Sequence, residues 1–213
     1  MHYFFEHCYG DVMVACGSEG QCYVRNDNPM HAIQARVILE FIRVRTGDVR
    51  PVSKAAHSVS LPPGPAALSW FCASNGTLSP ACVPWSQLLT AAGCAATASD
   101  CFLNASVVSA SNGDVLASNP SLLASPATLL PNLRSPQLAA WLAEPLPNTG
   151  PIKVSLTAAA PALFVTLSTL AQGRFSRNAF FAPRGITQLL FLPFEGVADQ
   201  SAILNATLSV QSM

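Results

Sequence analysis

Short apolar stretches cut apart by proline, glycine and asparagine constrain this chain more than any other feature. The 213 residues include 17 Pro and 12 Gly, and only 10% of them are charged. Surface helices carry Glu, Lys and Arg on their outer faces and reject interior Pro; strands joined by tight turns accept this composition. Residues 12–15 form a short apolar run. Residues 21–27 alternate polar with apolar and stop at the turn cluster Asn26-Asp27-Asn28-Pro29. Residues 34–45 carry polar side chains at 34, 36, 40, 43 and 45, so their register shifts partway. A helix is one reading of this segment; a long strand with a bulge is preferred. Residues 58–61 end at Pro62-Pro63-Gly64-Pro65, and residues 68–71 form the next strand. Residues 102–108 and 115–118 flank Asn112-Gly113-Asp114, a hairpin turn whose Asn and Gly tolerate positive φ.

Strands at this spacing predict an all-β chain built as immunoglobulin-like antiparallel β-sandwiches. The first sandwich is assigned to residues 10–118. Residues 119–135 read as a Pro/Ser-rich connection and residues 136–213 as a second, smaller sandwich. Within the latter, residues 137–142 are a strand or a single helical turn, and further strands are expected near 152–157, 163–170, 186–192 and 203–210. Residues 1–9, with His2, Tyr3, Phe4, Phe5 and Tyr9, look like the end of a helix.

Eleven basic and eleven acidic residues cancel, and no basic stripe marks a nucleic-acid footprint. Mean hydropathy is +0.36, and residues 154–173 are uncharged over nearly the ~20 residues that span a bilayer. That run is interrupted by Pro161 and partly alternates, so strands are expected and no membrane span. Residues 1–7 show neither the positive n-region nor the apolar h-region of a signal peptide.

Seven cysteines leave an odd one in any pairing. Cys94 and Cys101 are close enough to clip a loop. Cys16 and Cys22 frame a Gly-rich turn, and Cys72 and Cys82 a loop with Pro80. Disulfides or buried thiols fit these positions better than zinc, since no C-x-x-C occurs and His2-x3-Glu6-His7 misses the metalloprotease spacing by one residue. No metal or cofactor is expected. Asn75, Asn104 and Asn205 each open an Asn-x-Ser/Thr sequon. With the cysteines, they favour an oxidising compartment.

No nucleophile elbow or phosphate-binding loop is present. Trp70, Trp85 and Trp141 could stack on sugar rings if they shared an open face, although aromatics this sparse more often belong to cores or interfaces. The acidic residues lie mostly in turn-like segments. Glu195, after Pro193-Phe194, is assigned a structural or solvent-facing role.

Gly173-Arg174-Phe175-Ser176-Arg177-Asn178-Ala179-Phe180-Phe181, followed by Phe191-Leu192-Pro193-Phe194-Glu195, resembles the "GRFSDN" turn and "F-x-P-W/F-E" strand of the last domain of β-mannosidases. Tyr23-Val24-Arg25-Asn26-Asp27, Val59-Ser60-Leu61-Pro62-Pro63-Gly64 and the stretch from Asn112 to Asn119 follow the order seen in the immunoglobulin-like domain after the mannosidase barrel. The resemblance covers nearly the whole chain. It implies a parent enzyme that removes terminal non-reducing β-D-mannose from oligosaccharides. Two barrel glutamates would act through a covalent intermediate, and retention requires those carboxyl groups about 5 Å apart. It further implies that this chain holds neither glutamate, that residues 1–9 close the last barrel helix, and that the barrel is the intramolecular partner through which oligosaccharide is met. The parent would be lysosomal, vacuolar or extracellular. Gly173, Arg174, Phe175, Ser176 and Asn178 would form the structural turn; Arg177 stands where the family usually has Asp. The alternative is a stand-alone binding or adhesion module of immunoglobulin type.

Overall fold

The computed structural model describes residues 10–17, 19–52, 57–64, 67–75, 82–143, 150–195 and 199–212. The helix end expected at residues 1–9 lies outside them. The fold is nearly all β, with four antiparallel sheets and a few short helices.

The first sandwich opposes two sheets. One has the order β1 (Val12–Cys16), β2 (Gln21–Asn26), β6 (Ala67–Cys72). The other has the order β4 (Val49–Pro51), β3 (Ile33–Arg43), β7 (Cys101–Ser109), β8 (Val115–Ser121), with β5 (His57–Leu61) also paired to β3. Alternation sends Val14, Val24 and Phe71 inward from one layer, against Val37, Phe41, Leu103 and Val107 from the other. Helix α1 (Trp85–Ala91) closes this core with Trp85, Leu88 and Leu89, spaced at i, i+3 and i+4. The Trp85 ring meets the Phe41 ring edge-on, and its indole N–H donates to the Gly17 carbonyl at 2.7 Å.

Strand β3 is long, as expected, but carries no bulge: its pairing with β7 runs unbroken from Ala35↔Ser109 to Arg43↔Cys101. The apparent register shift has another cause. Ile33, Ala35, Val37, Leu39 and Phe41 all face the first core, while Ile42 and the following Val44 are buried on the opposite face with Phe102, Leu129 and Leu163. The far end of β3 is covered on both sides, so polar and apolar residues stop alternating there.

Three disulfides staple the first sandwich: Cys16–Cys22, Cys72–Cys82 and Cys94–Cys101. They close short loops, with sequence separations of 6, 10 and 7. Cys8 lies outside the described residues. The hairpin between β7 and β8 has Gly113 at φ +79°, as its turn demands. β8 continues through Asn119, Pro120 and Ser121, residues that composition assigns to the connection. Helix α2 (Pro126–Leu129) and a 3-10 turn (Leu130–Asn132) follow.

The second sandwich opposes the sheet β12 (Gly173–Phe175), β14 (Gly185–Pro193), β10 (Ile152–Ala158), β9 (Ala139–Leu142) and the sheet β13 (Phe180–Ala182), β11 (Ala162–Ser168), β15 (Ser209–Gln211). Ile152, Leu156, Val165, Phe175, Leu189 and Phe191 form its core. Strands β10 and β11 thus take up most of the uncharged run at 154–173, and among the described residues no helix is long and apolar enough to cross a membrane. The strand expected at 203–210 is mostly helix: α3 (Gln200–Thr207) precedes β15. Gln200 and Leu204, one helical turn apart, are its buried contacts, while Ile203 stays exposed.

Candidate functional site

The Gly173–Ala182 segment is fixed by a close glycine contact, an aromatic pair and two side-chain caps. Gly173 sits under the Phe191 ring: a Cβ there would lie 2.4 Å from Phe191 Cζ and 2.6 Å from the Leu192 carbonyl oxygen. Only glycine permits that approach. Phe175 is buried beside Phe191, ring centroids 5.2 Å apart. The Ser176 backbone N–H donates to the Leu190 carbonyl at 2.7 Å, and Ser176 Oγ accepts from Leu190 N–H at 3.0 Å. One residue therefore continues the β12–β14 ladder with its side chain.

Asn178 does the same on the other sheet. Its Oδ1 accepts from Leu167 N–H at 2.8 Å and its Nδ2 donates to the Leu167 carbonyl at 2.9 Å. The carboxamide replaces a peptide group beside β11, where β13 has not yet begun. Oδ1 also accepts from Ala179 N–H, and Ala179 takes the left-handed φ of +53° that Asn would be expected to hold. Arg174 is exposed. The Arg177 guanidinium lies over the Phe180 ring, 5.6 Å from its centroid, and is thereby given an aromatic partner in place of the cap an Asp would provide.

Between the sandwiches lies a cleft of about 300 Å³. Two β-bulges aim side chains into it. On β8, Val107↔Ala117 is followed by Val108↔Val115, leaving Leu116 as the extra residue. On β11, Ala162↔Ala182 is followed by Val165↔Phe180, so Leu163 and Phe164 stand against Phe181 alone. Phe164 pays for this with φ +51°, an unusual conformation for an aromatic residue. Leu116, Leu163 and Phe164 all line the cleft, with Phe102 and Phe181. Among the described residues the polar lining is Asn104, Ser118, Asn119 and Arg177. Asn119 Nδ2 reaches across to the Val14 carbonyl at 2.9 Å and ties β8 to β1. Neither bulge has a signature in the sequence beyond an interrupted alternation, and the cleft was not legible there.

The remaining predicted residues are scattered. Asn75 is exposed in the turn after β6, and Asn205 is exposed on α3. Asn104 stands mid-strand in β7, donating to Ser106 Oγ at 3.3 Å and accepting from Ser118 Oγ at 3.1 Å. Cys94, Asp100 and Cys101 come close enough to hold an ion, but the two sulfurs are joined to each other and Asp100 accepts from Ala95 N–H at 2.7 Å. That chemistry is a stapled loop. Glu195 is exposed. Trp70 and Trp141 are about half-exposed on different sheets and Trp85 is buried, so the three tryptophans share no face. Trp70 instead packs on Tyr23, centroids 5.0 Å apart.

Residues 133–213 match the Ig_mannosidase family, an Ig-fold domain. Two solved structures resemble the whole chain. A β-D-mannosidase from Dictyoglomus thermophilum has a TM-score of 0.62 and 13% identity over 99% of this chain. An exo-chitosanase from Amycolatopsis orientalis has a TM-score of 0.62 and 12% identity over 100% of it. The chain spans 22% of the first of those proteins and 27% of the second. No curated protein sequence matches it.

Proposed function

We propose that this chain, which carries an Ig_mannosidase Ig-fold domain over residues 133–213, is the C-terminal accessory portion of a β-mannosidase-like glycosidase. The parent hydrolyses terminal non-reducing β-D-mannose in oligosaccharide catabolism, in a lysosomal, vacuolar or extracellular setting. The two sandwiches prop up a catalytic barrel that supplies both glutamates. The carrying observation is the match of residues 133–213 to the Ig_mannosidase family. The likeness of nearly the whole chain to under a third of two larger glycosidases accompanies it.

Exposed apolar side chains supply surface for such a neighbour. Leu68 and Trp70 lie on the outer face of the β1-β2-β6 sheet, and Trp141, Ile186 and Leu190 on the β12-β14-β10-β9 sheet. The purified chain is expected to show no turnover of a chromogenic β-mannoside. Turnover abolished by substituting one of its own carboxylates would overturn the proposal. Trp70, Trp85 and Trp141 on one open face would favour the alternative, a stand-alone binding or adhesion module; Trp85 is buried, so that support is missing.

A further inference from the structure

We infer that Asn205 and Asn75 carry N-linked glycans in the folded protein, that Asn104 does not, and that helix α3 therefore faces solvent in any larger assembly. Three sequons are present, and the fold treats them differently. Asn205 is exposed on α3, a helix that anchors itself through Gln200 and Leu204 on its other side. Asn75 is exposed in the turn after β6, inside the loop closed by Cys72–Cys82. Neither residue belongs to a buried core. Asn104 sits in β7 between β3 and β8, with both ends of its carboxamide bonded to Ser106 and Ser118 and with its side chain in the cleft lined by Phe102 and Leu163. A sugar there would be attached to the Nδ2 that donates to Ser106 and would enter a space of about 300 Å³ between the sandwiches.

The three disulfides supply the second, independent observation. Such bridges form and persist in oxidising compartments, where sequons meet their donor, a lipid-linked oligosaccharyl diphosphate. The amide Nδ2 of Asn205 forms a bond to C1 of the terminal N-acetylglucosamine. The C1–O bond breaks, the lipid diphosphate leaves with the electron pair, and the amide loses one proton. The bonds that hold Thr207 Oγ1 to the Ile203 carbonyl and to Leu170 N–H in the folded state require transfer before this region folds. A glycan placed on Asn104 at that stage would block closure of the cleft, so folded molecules carry none.

The test directs the chain into a eukaryotic secretory pathway and purifies the folded fraction with its three disulfides closed. Amidase release of N-glycans in 18O-water then labels each formerly glycosylated Asn as Asp, read by peptide mass spectrometry. Label at Asn205 and Asn75 with none at Asn104 is expected, and Asn205→Gln should remove one glycan from the intact mass while leaving the melting temperature of the deglycosylated protein unchanged. Label at Asn104 in folded protein, or an unmodified Asn205 or Asn75, overturns the inference.

Discussion

The Phe102 and Phe181 rings meet edge to face, centroids 4.5 Å apart at 64°, and join one sandwich to the other. Phe102 is fully buried and sits with Ile42, Val44, Leu129 and Leu163 in a cluster drawn from both halves and the connection between them. The two sandwiches are packed bodies, not beads on a linker.

Phe102→Ala should cost about 3–5 kcal/mol and split a single unfolding transition into two. Calorimetry reads both effects; one unshifted transition would show that the contact does not couple the halves.

Asn178→Ala leaves the Leu167 N–H and carbonyl without their side-chain partner. Unsatisfied buried groups cost about 1–3 kcal/mol each, so the urea midpoint should fall clearly. Asn178→Asp keeps the acceptor and loses the donor, and should fall between the two. An Asp variant as unstable as Ala would contradict the peptide-mimic geometry.

Gly173→Ala forces a methyl group into Phe191 and the Leu192 carbonyl. A loss of about 1–3 kcal/mol is expected, as for other overpacked sites. The φ at this position is ordinary, so an effect that vanished when Phe191 was also shortened would identify the ring as the obstacle.

His57 stacks on Phe71, centroids 4.4 Å apart, and burial lowers its pKa below 6.5. The unfolded chain then binds a proton more readily than the folded one. Stability is fully present above the unfolded pKa and is lost as pH falls through the folded value. Urea midpoints measured from about pH 5 to 8 should rise with pH for the native chain, and His57→Phe should flatten the part of the slope just below 6.5. Identical slopes would exclude the histidine as its source.

Replacing Cys94 and Cys101 together with Ser should cost about 2–4 kcal/mol, the usual value for a native bridge. Thermal melts under non-reducing conditions check this; an unchanged melting temperature would mean that α1 and β7 hold their loop without the staple.

Much of the architecture was readable from side-chain alternation and turn residues. β1, β2, β5 and β14 each end at or next to Pro, Gly or Asn, and Asn112-Gly113 marks its hairpin by backbone chemistry alone. What failed to show was tertiary. Burial of Ile42 and Val44 by a second body mimicked a bulge in β3. Trp85, Leu88 and Leu89 needed a core to pack against before seven residues between two disulfides made sense as a helix. Helix α3 declares itself only through the Gln200 and Leu204 contacts. The extra residues at Leu116 and at Leu163–Phe164 depend on how neighbouring strands count past one another, which no single strand reveals.

Strand β3 feeds two interiors at once, and that limits how evolution or an engineer could cut this chain. Excising the first sandwich alone would lay bare Phe102, Ile42 and Val44 as a greasy scar, an invitation to aggregate. The pair is consequently the smallest unit that can be shuffled between genes, and a recombinant boundary belongs upstream of β1 rather than in the proline-rich connection where composition invites it.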